Sequence, residues 1–283
     1  MTTRSDSTRR FYNANTGLFL RFGHSSQGSI HRAVWGEGVR DRDTALHYVD
    51  ELICEQIQAL GLNQAAQVVD LGCGVGASLS YVASKTPIRG LGVTISEKQQ
   101  QLAQQRFDTD QQADKLNCLL ADFCQLPDKL PEADLVFAIE SFVHAPDAQA
   151  FFREAARLMK PGAKLIICDD FLNQAADTSD PSTQDWLNRF QQGWLVNSLL
   201  SPPQADAIAR DYHLRLLEQR DLSPHLELGR PRDKFIAFLL ALIGKLALKN
   251  QYLRMLNGGH ALQHCLQSRI LNYYFLVWEK TDA

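Results

Sequence analysis

Val68-Val69-Asp70-Leu71-Gly72-Cys73-Gly74-Val75-Gly76 decides the fold. The apolar run 67–71 has the length of a buried strand, and three glycines at alternate positions follow before a helical pattern over 75–84. A strand that ends in such a turn and opens a helix lets backbone N–H groups and the positive helix end approach an anionic part of a ligand. The turn alone is shared by several nucleotide cofactors, and a tight turn without a ligand is the plain alternative. The strands beyond it must decide the cofactor.

Outward from this turn, short apolar runs alternate with helical patterns, the signature of a mostly parallel sheet with helices on both faces. Seven strands are predicted, at 67–71, 89–94, 117–121, 134–139, 164–168, 214–221 and 271–279. Helices are predicted at 75–84, 97–106, 147–159 and 203–211, the third stopped by Lys160-Pro161-Gly162. Two regions fall outside the alternation. Residues 1–60 form an N-terminal segment rich in aromatic side chains, with a helix at 43–60. Residues 223–268 form an insertion into the domain 61–283, with helices at 233–248 and 257–269. Both are expected to cover a site, because open α/β sheets bind ligands beyond the carboxyl ends of their strands.

Two strand ends carry titratable groups. After the third strand comes Ala121-Asp122-Phe123, where a carboxylate can accept from an adenine amino group and a ring can flank the base. A solvated aspartate is the bland alternative. The fourth strand ends in Ile139-Glu140-Ser141-Phe142-Val143-His144-Ala145-Pro146-Asp147, which puts Glu140 and His144 where the ligand crevice should lie.

The ordered set VVDLGCGVG, GLGVTISEKQ, ADFCQLP, DLVFAIESFVHAPD and LMKPGAKLIICDDF resembles the class I S-adenosylmethionine (SAM)-dependent methyltransferases over about residues 67–171. Within that class, the Glu140 to Pro146 loop is similar to that of sterol, tocopherol and geranyl diphosphate C-methyltransferases. Gly92 to Ser96 is similar also to cyclopropane fatty acid synthases. The resemblance implies a Rossmann-like fold, SAM as cofactor, and cofactor contacts at Asp70, Gly72, Gly74, Gly76, Thr94, Ile95, Gln99, Asp122, Phe123 and Glu140. It departs at Thr94, where many relatives place an acidic residue for the ribose hydroxyls. One hydroxyl cannot make the bidentate contact of a carboxylate.

On the same resemblance, Tyr12, Thr16, Phe19 and Gly23, with His31 beyond, look like an aromatic lid. Past Phe171 the resemblance fades, and composition alone speaks. Trp186, Phe190, Trp194, Phe235, Phe238, Leu239, Tyr252 and Leu253 each read singly as core before pocket, but together, in segments expected to overhang the site, they suggest a hydrophobic acceptor. Tyr12, Phe19, Trp35, Trp186 and Phe235 are the substrate contacts expected. Arg230 and Arg232 would suit a diphosphate or carboxylate head group, or make surface salt bridges. The preferred chemistry is C-methylation of an isoprenoid alkene through a carbocation, with Glu140 as the base and His144 orienting it or sharing the proton. O- or N-methylation of a natural product is the first rival. A nicotinamide-dependent oxidoreductase and a non-catalytic binding module are further ones.

Composition narrows the partners. The 283 residues are 45% hydrophobic, enough for a large core, and carry a net charge of −3 with no basic block of the kind that tracks phosphates. Nucleic acid is therefore not an expected partner; a homo-oligomer remains open. Six cysteines without a CxxC pair read as small buried hydrophobes in a reducing cytoplasm, and no metal site is assigned. The first ten residues are polar, so no secretory signal is expected, and the longest apolar run, 235–243, is too short to span a bilayer.

Overall fold

The structure is a computed structural model that describes residues 4–22, 31–243 and 250–282, with side chains for 5–17, 31–242 and 250–282. The strands are β1 (Gln67–Leu71), β2 (Arg89–Thr94), β3 (Leu116–Leu120), β4 (Ala133–Ile139), β5 (Met159–Leu172), β6 (Leu214–Asp221) and β7 (Leu271–Lys280). They form one sheet in the order β3-β2-β1-β4-β5-β7-β6. The first five in that order pair in parallel, and β7 runs antiparallel between β5 and β6.

This is the Rossmann-like arrangement expected. The central strands are buried on both sides, Val68, Val69, Leu135, Val136, Leu165 and Ile166 being fully enclosed, which is why they read as continuous apolar runs rather than alternating ones. The sheet separates two apolar layers, one around Phe142, Phe151, Phe152 and Trp278 and one around Ile53, Phe107, Phe137 and Tyr273.

Helices α4 (Ala77–Lys85), α5 (Glu97–Thr109), α6 (Ala148–Leu158) and α8 (Pro202–Arg210) match the four predicted. Several elements differ from expectation, among them α1 (Arg4–Phe22), where no helix was expected. The helix expected at 43–60 is two, α2 (Arg42–Leu46) and α3 (Tyr48–Ala59), divided at His47, whose Nδ1 lies 2.8 Å from Asp50. Lys160-Pro161-Gly162 stops no helix itself. Helix α6 has already ended at Leu158, and β5 begins at Met159 and runs through the three residues.

Helix α7 (Pro181–Trp194) was not expected, although its start is written in the sequence: Asp180 accepts from Thr183 N–H at 2.8 Å and Pro181 occupies the first turn. It packs on α10 (Gln251–Gln267) with backbones so close that a Cβ on Gly193 would lie 2.6 Å from Gly258 Cα.

The insertion is thus α9 (Pro231–Ile243) and α10, and the N-terminal segment begins as α1 (Arg4–Phe22). Among the described residues, all six cysteines are free and buried, and no helix is long and apolar enough to cross a membrane.

Candidate functional site

The strand order reverses between β1 and β4, so the loops after these strands diverge and leave a crevice at their carboxyl ends. A cavity of about 460 Å³ opens there. Its floor is the glycine turn, its walls the loops after β2, β3 and β4, and its roof is contributed by α1, α7, α9 and α10.

The loop after β4 is held in a strained shape. Glu140 has φ +49°, a left-handed conformation that costs a non-glycine residue on the order of 1–3 kcal/mol and persists where surroundings enforce it. Its N–H donates to the Cys168 carbonyl at 2.9 Å. The next residue, Ser141, donates to the Leu71 carbonyl at 2.6 Å and backs directly onto Gly72, where a Cβ would lie 2.4 Å from Ser141 Cβ. Strand β1's turn and the β4 loop therefore fit as one piece.

Both candidate acid–base groups line the cavity, but they do not touch each other through hydrogen bonds. Glu140 Oε1 accepts from Arg32 N–H and from the Tyr273 hydroxyl, each at 3.0 Å. His144 Nδ1 lies 3.4 Å from the Leu195 carbonyl, which can only accept, so Nδ1 carries the proton and Nε2 accepts from the Tyr12 hydroxyl at 2.8 Å. The expected service of His144 in orienting Glu140 is thereby corrected: its two nitrogens go to Leu195 and Tyr12. Burial lowers the His144 pKa below its usual value, outweighing the Leu195 bond and the Glu140 charge, and the ring is neutral at pH 7. Burial raises the Tyr12 pKa, with Asp169 and Glu140 adding to it, so Tyr12 stays a phenol.

On the side of the glycine turn, Gly72, Gly74, Thr94, Ile95, Gln99, Asp122 and Phe123 all line the cavity. Gly74, at φ +54°, has no atom within 4 Å of the place its Cβ would occupy. The backbone there faces open space that a ligand can enter closely. Thr94 donates to Gln99 Oε1 at 2.8 Å, which turns the hydroxyl inward and leaves the Gln99 amide nitrogen as the donor for a diol. Asp122 Oδ1 accepts from Cys124 N–H at 2.9 Å, and Phe123 is set edge-on to Phe151. Two expected contacts are elsewhere. Asp70 is buried outside the cavity wall, its pKa driven up by burial and by Asp50. Gly76 caps α4 and serves packing, since a Cβ there would meet Phe107 at 2.8 Å.

Of the expected acceptor contacts, Tyr12 lines the cavity, and the Phe19 side chain, like Gly23, lies outside the described residues. Trp35, Trp186 and Phe235 do not line it. Trp35 packs with Ala33, Ala45 and Leu46. Trp186 stacks on His264 at 4.0 Å under the Arg189 guanidinium. Phe235 is 61% exposed on the outer side of α9. Its neighbour Ile236 lines the wall instead, with Phe190, Trp194, Val196, Tyr252 and Met255. Arg230 and Arg232 also reach the cavity, but Arg230 already binds Asp233 at 3.2 Å.

Sequence reasoning missed a buried network behind Glu140. Arg32 makes a two-pronged pair with Asp170, both contacts 2.6 Å, and lies 4.8 Å over the Tyr273 ring. Burial opposes the guanidinium charge, but Asp170 and then Glu140 outweigh it, and Arg32 is held more firmly protonated than usual. Burial, reinforced by Asp170, drives the pKa of cavity-lining Asp169 up. Adjacent carboxylates in the apolar run Ile166-Ile167-Cys168-Asp169-Asp170-Phe171 were the available signal. Nothing near Arg32 in the chain points to its partners. Asp170→Asn takes from the half-buried Arg32 its two-pronged partner and leaves Glu140, 3.9 Å away, as the remaining carboxylate; the expected loss of unfolding free energy, read from urea titration, is below the about 3–5 kcal/mol of a wholly uncompensated buried charge.

Comparison with known proteins bears on what this crevice holds. Residues 69–167 match the family described as methyltransferase domain. An O-methyltransferase of Pyrenophora dematioidea is 28% identical over 70% of this chain and 73% of its own length. Sterol 24-C-methyltransferase ERG6B of Gibberella zeae is 30% identical over 61% of this chain but 44% of its own. Among solved structures, geranyl diphosphate C-methyltransferase of Streptomyces coelicolor, in complex with Mg²⁺, geranyl diphosphate and S-adenosylhomocysteine, superposes with TM-score 0.69 at 16% identity, over 99% of both chains.

Proposed function

Since the chain is a class I SAM-dependent methyltransferase, we propose that it methylates a hydroxyl oxygen of a small, largely apolar molecule, with His144 as the base. The observation that carries this is the neutral, buried imidazole whose Nδ1 proton is fixed on Leu195, so that Nε2 is the acceptor at the cavity wall. The O-methyltransferase relative, similar over most of both chains, supports the same choice.

When bound, SAM supplies an electrophilic sulfonium methyl whose C–S bond breaks as the acceptor's bond to that carbon forms. Gly72 and Gly74 offer the close backbone approach for its polar end, Gln99 a donor for its ribose, and Asp122 with Phe123 an acceptor and a ring for its adenine. The chain's remaining work is to hold the acceptor in line and to take its proton.

The acceptor proton goes to His144 Nε2, either after the acceptor hydroxyl replaces Tyr12 or through it, Tyr12 receiving one proton while giving its own to Nε2. Helix α1 carries Tyr12 and is pinned at Asn13, which accepts from Ser96 Oγ at 2.5 Å and donates to Glu97 at 2.5 Å. We assign α1 and the α9–α10 pair the role of lid on this basis.

A second reading keeps the isoprenoid alkene as acceptor and Glu140 as the base. It is favoured by one feature: both bonds to Glu140 fall on Oε1, which leaves Oε2 to take a proton at the cavity wall.

Mass spectrometry of products from a panel of phenols, hydroxylated polyketides, prenyl diphosphates and sterols separates the two. A product whose new methyl is removed by chemical O-demethylation supports the first; a new C–C bond overturns it. The pH profile of kcat gives an independent check. The base works only when unprotonated, so lowering the His144 pKa moves the acid limb below its ordinary value near 6.5.

A further inference from the structure

Since the His144 ring is held neutral, what remains to be set is which nitrogen carries its proton. Its two neighbours do not weigh equally in that choice. The Tyr12 hydroxyl at Nε2 can donate or accept, so it suits either form. The Leu195 carbonyl at Nδ1 can only accept, and it selects the form that leaves Nε2 as the acceptor at the cavity wall. That contact is 3.4 Å, longer than the usual range of an N–H···O bond, so a small retreat of one carbonyl would release the choice.

The Leu195 carbonyl has to be held in place. Leu195 follows the end of α7 in the left-handed region, φ +54° and ψ 44°, a conformation that glycine adopts without strain and leucine does not. Asn197 secures it. Its Nδ2 donates to the Leu195 carbonyl at 3.0 Å and to the carbonyl of His144 itself at 3.2 Å. Two carbonyls on one side fix the orientation of the amide, because only its nitrogen, with two protons, can face both. The backbone N–H groups of Asn197 and Ser198 donate to the Val143 carbonyl at 2.8 and 3.0 Å, which ties the segment to the short 3-10 turn Phe142–His144.

We propose that Asn197 is a positioning residue that fixes the tautomer of His144. One amide grips both the carbonyl that reads the ring and the backbone that carries the ring, so the two cannot drift apart. Nothing local in the sequence reveals this, since Asn197 stands 53 residues beyond His144. The effect on the tautomer stands on these bonds alone; its effect on turnover rests on the reading of His144 as the base.

NMR of isotope-labelled histidine ring nitrogens in the full chain tests it, the His144 signals being identified by their absence from His144→Ala. In the unaltered protein Nδ1 should carry the proton. Asn197→Ala should turn His144 into a mixture of the two forms and lower kcat by about fivefold or more, with S-adenosylhomocysteine affinity within about twofold. Ser198→Ala removes a bond of similar kind, 2.7 Å to the Ala145 carbonyl, without touching Leu195, and should leave the tautomer as it is. Leu195→Gly added to Asn197→Ala relieves the strain that Asn197 opposes, and should return the ring towards the Nδ1-protonated form with part of kcat. An unchanged tautomer in folded Asn197→Ala overturns the proposal, as does an equal change in Ser198→Ala. A changed tautomer with undiminished kcat upholds it and removes His144 as the base.

Discussion

Gly74→Val is expected to remove S-adenosylhomocysteine binding from calorimetric range, a weakening of at least about 100-fold. Two costs act on different states. The left-handed backbone at φ +54° is unfavourable for a β-branched residue by about 1–2 kcal/mol, which the folded protein bears with or without ligand. The side chain itself meets no protein atom within 4 Å of its Cβ, so its bulk falls on whatever occupies the crevice. A modest loss of stability should therefore accompany a large loss of binding. Gly72→Ala differs in kind, because its Cβ strikes Ser141 and would disturb the Glu140 loop before any ligand arrives. Unchanged affinity in a folded Gly74→Val protein would remove the glycine turn as the cofactor floor.

Turnover of His144→Ala should fall by about 10² to 10⁴, the span for loss of a general base, with S-adenosylhomocysteine affinity nearly retained. The substitution also removes the contact of the Tyr12 hydroxyl with Nε2 and opens a small void, so a melting curve and partial rescue by added imidazole distinguish lost chemistry from lost structure. Glu140→Gln keeps an acceptor for Tyr273 and Arg32 while removing the charge, and its loss should stay within about tenfold. Reversal of this order, with Glu140→Gln the more damaging, assigns the proton to the carboxylate and restores the alkene reading. Stability has a matching pH signature. A histidine held neutral by burial binds its proton less well folded than unfolded. Its stabilising effect is complete above about pH 6.5 and is lost as the pH falls from there through its lower folded value.

The middle of the sheet was legible because its strands are buried on both faces and announce themselves locally; β1 and β2 begin and end where their runs do, and the half-exposed edge strand β6 also keeps its expected bounds, 214–221. Helix α1 was not. It is a mostly polar helix whose contacts with the body, among them Phe11 against Trp194 and hydrogen bonds to Glu97, Ser96 and His144, are with partners at least 83 residues away that no local pattern reveals. Helix α7 was missed for another reason. Its proline start is plain, but its aromatics Trp186, Phe190 and Trp194 read as pocket lining or core without announcing a helix.

The same ambiguity misplaced Trp35, Trp186 and Phe235. A large ring has equal reason to sit in a core, a cavity or an exposed stripe, and composition does not choose. Position after a strand did choose: Glu140, His144, Asp122 and Gln99 reach one cavity because the carboxyl ends of parallel strands converge there.

The place of β7 in the sheet bears on how the protein is made. Strand β6 leaves the ribosome first, yet its neighbour in the sheet is β7, which follows only after α9 and α10. Until Leu271–Lys280 emerges, β6 has no ladder to join, and β5, a strand of the buried middle, shows an open edge with Lys164 to Leu172 unpaired on that side. The parallel half, complete by Leu172, can assemble during synthesis. The other half closes in a single late event, in which one strand zips both its neighbours, and the nascent chain must be kept from joining other edges until then.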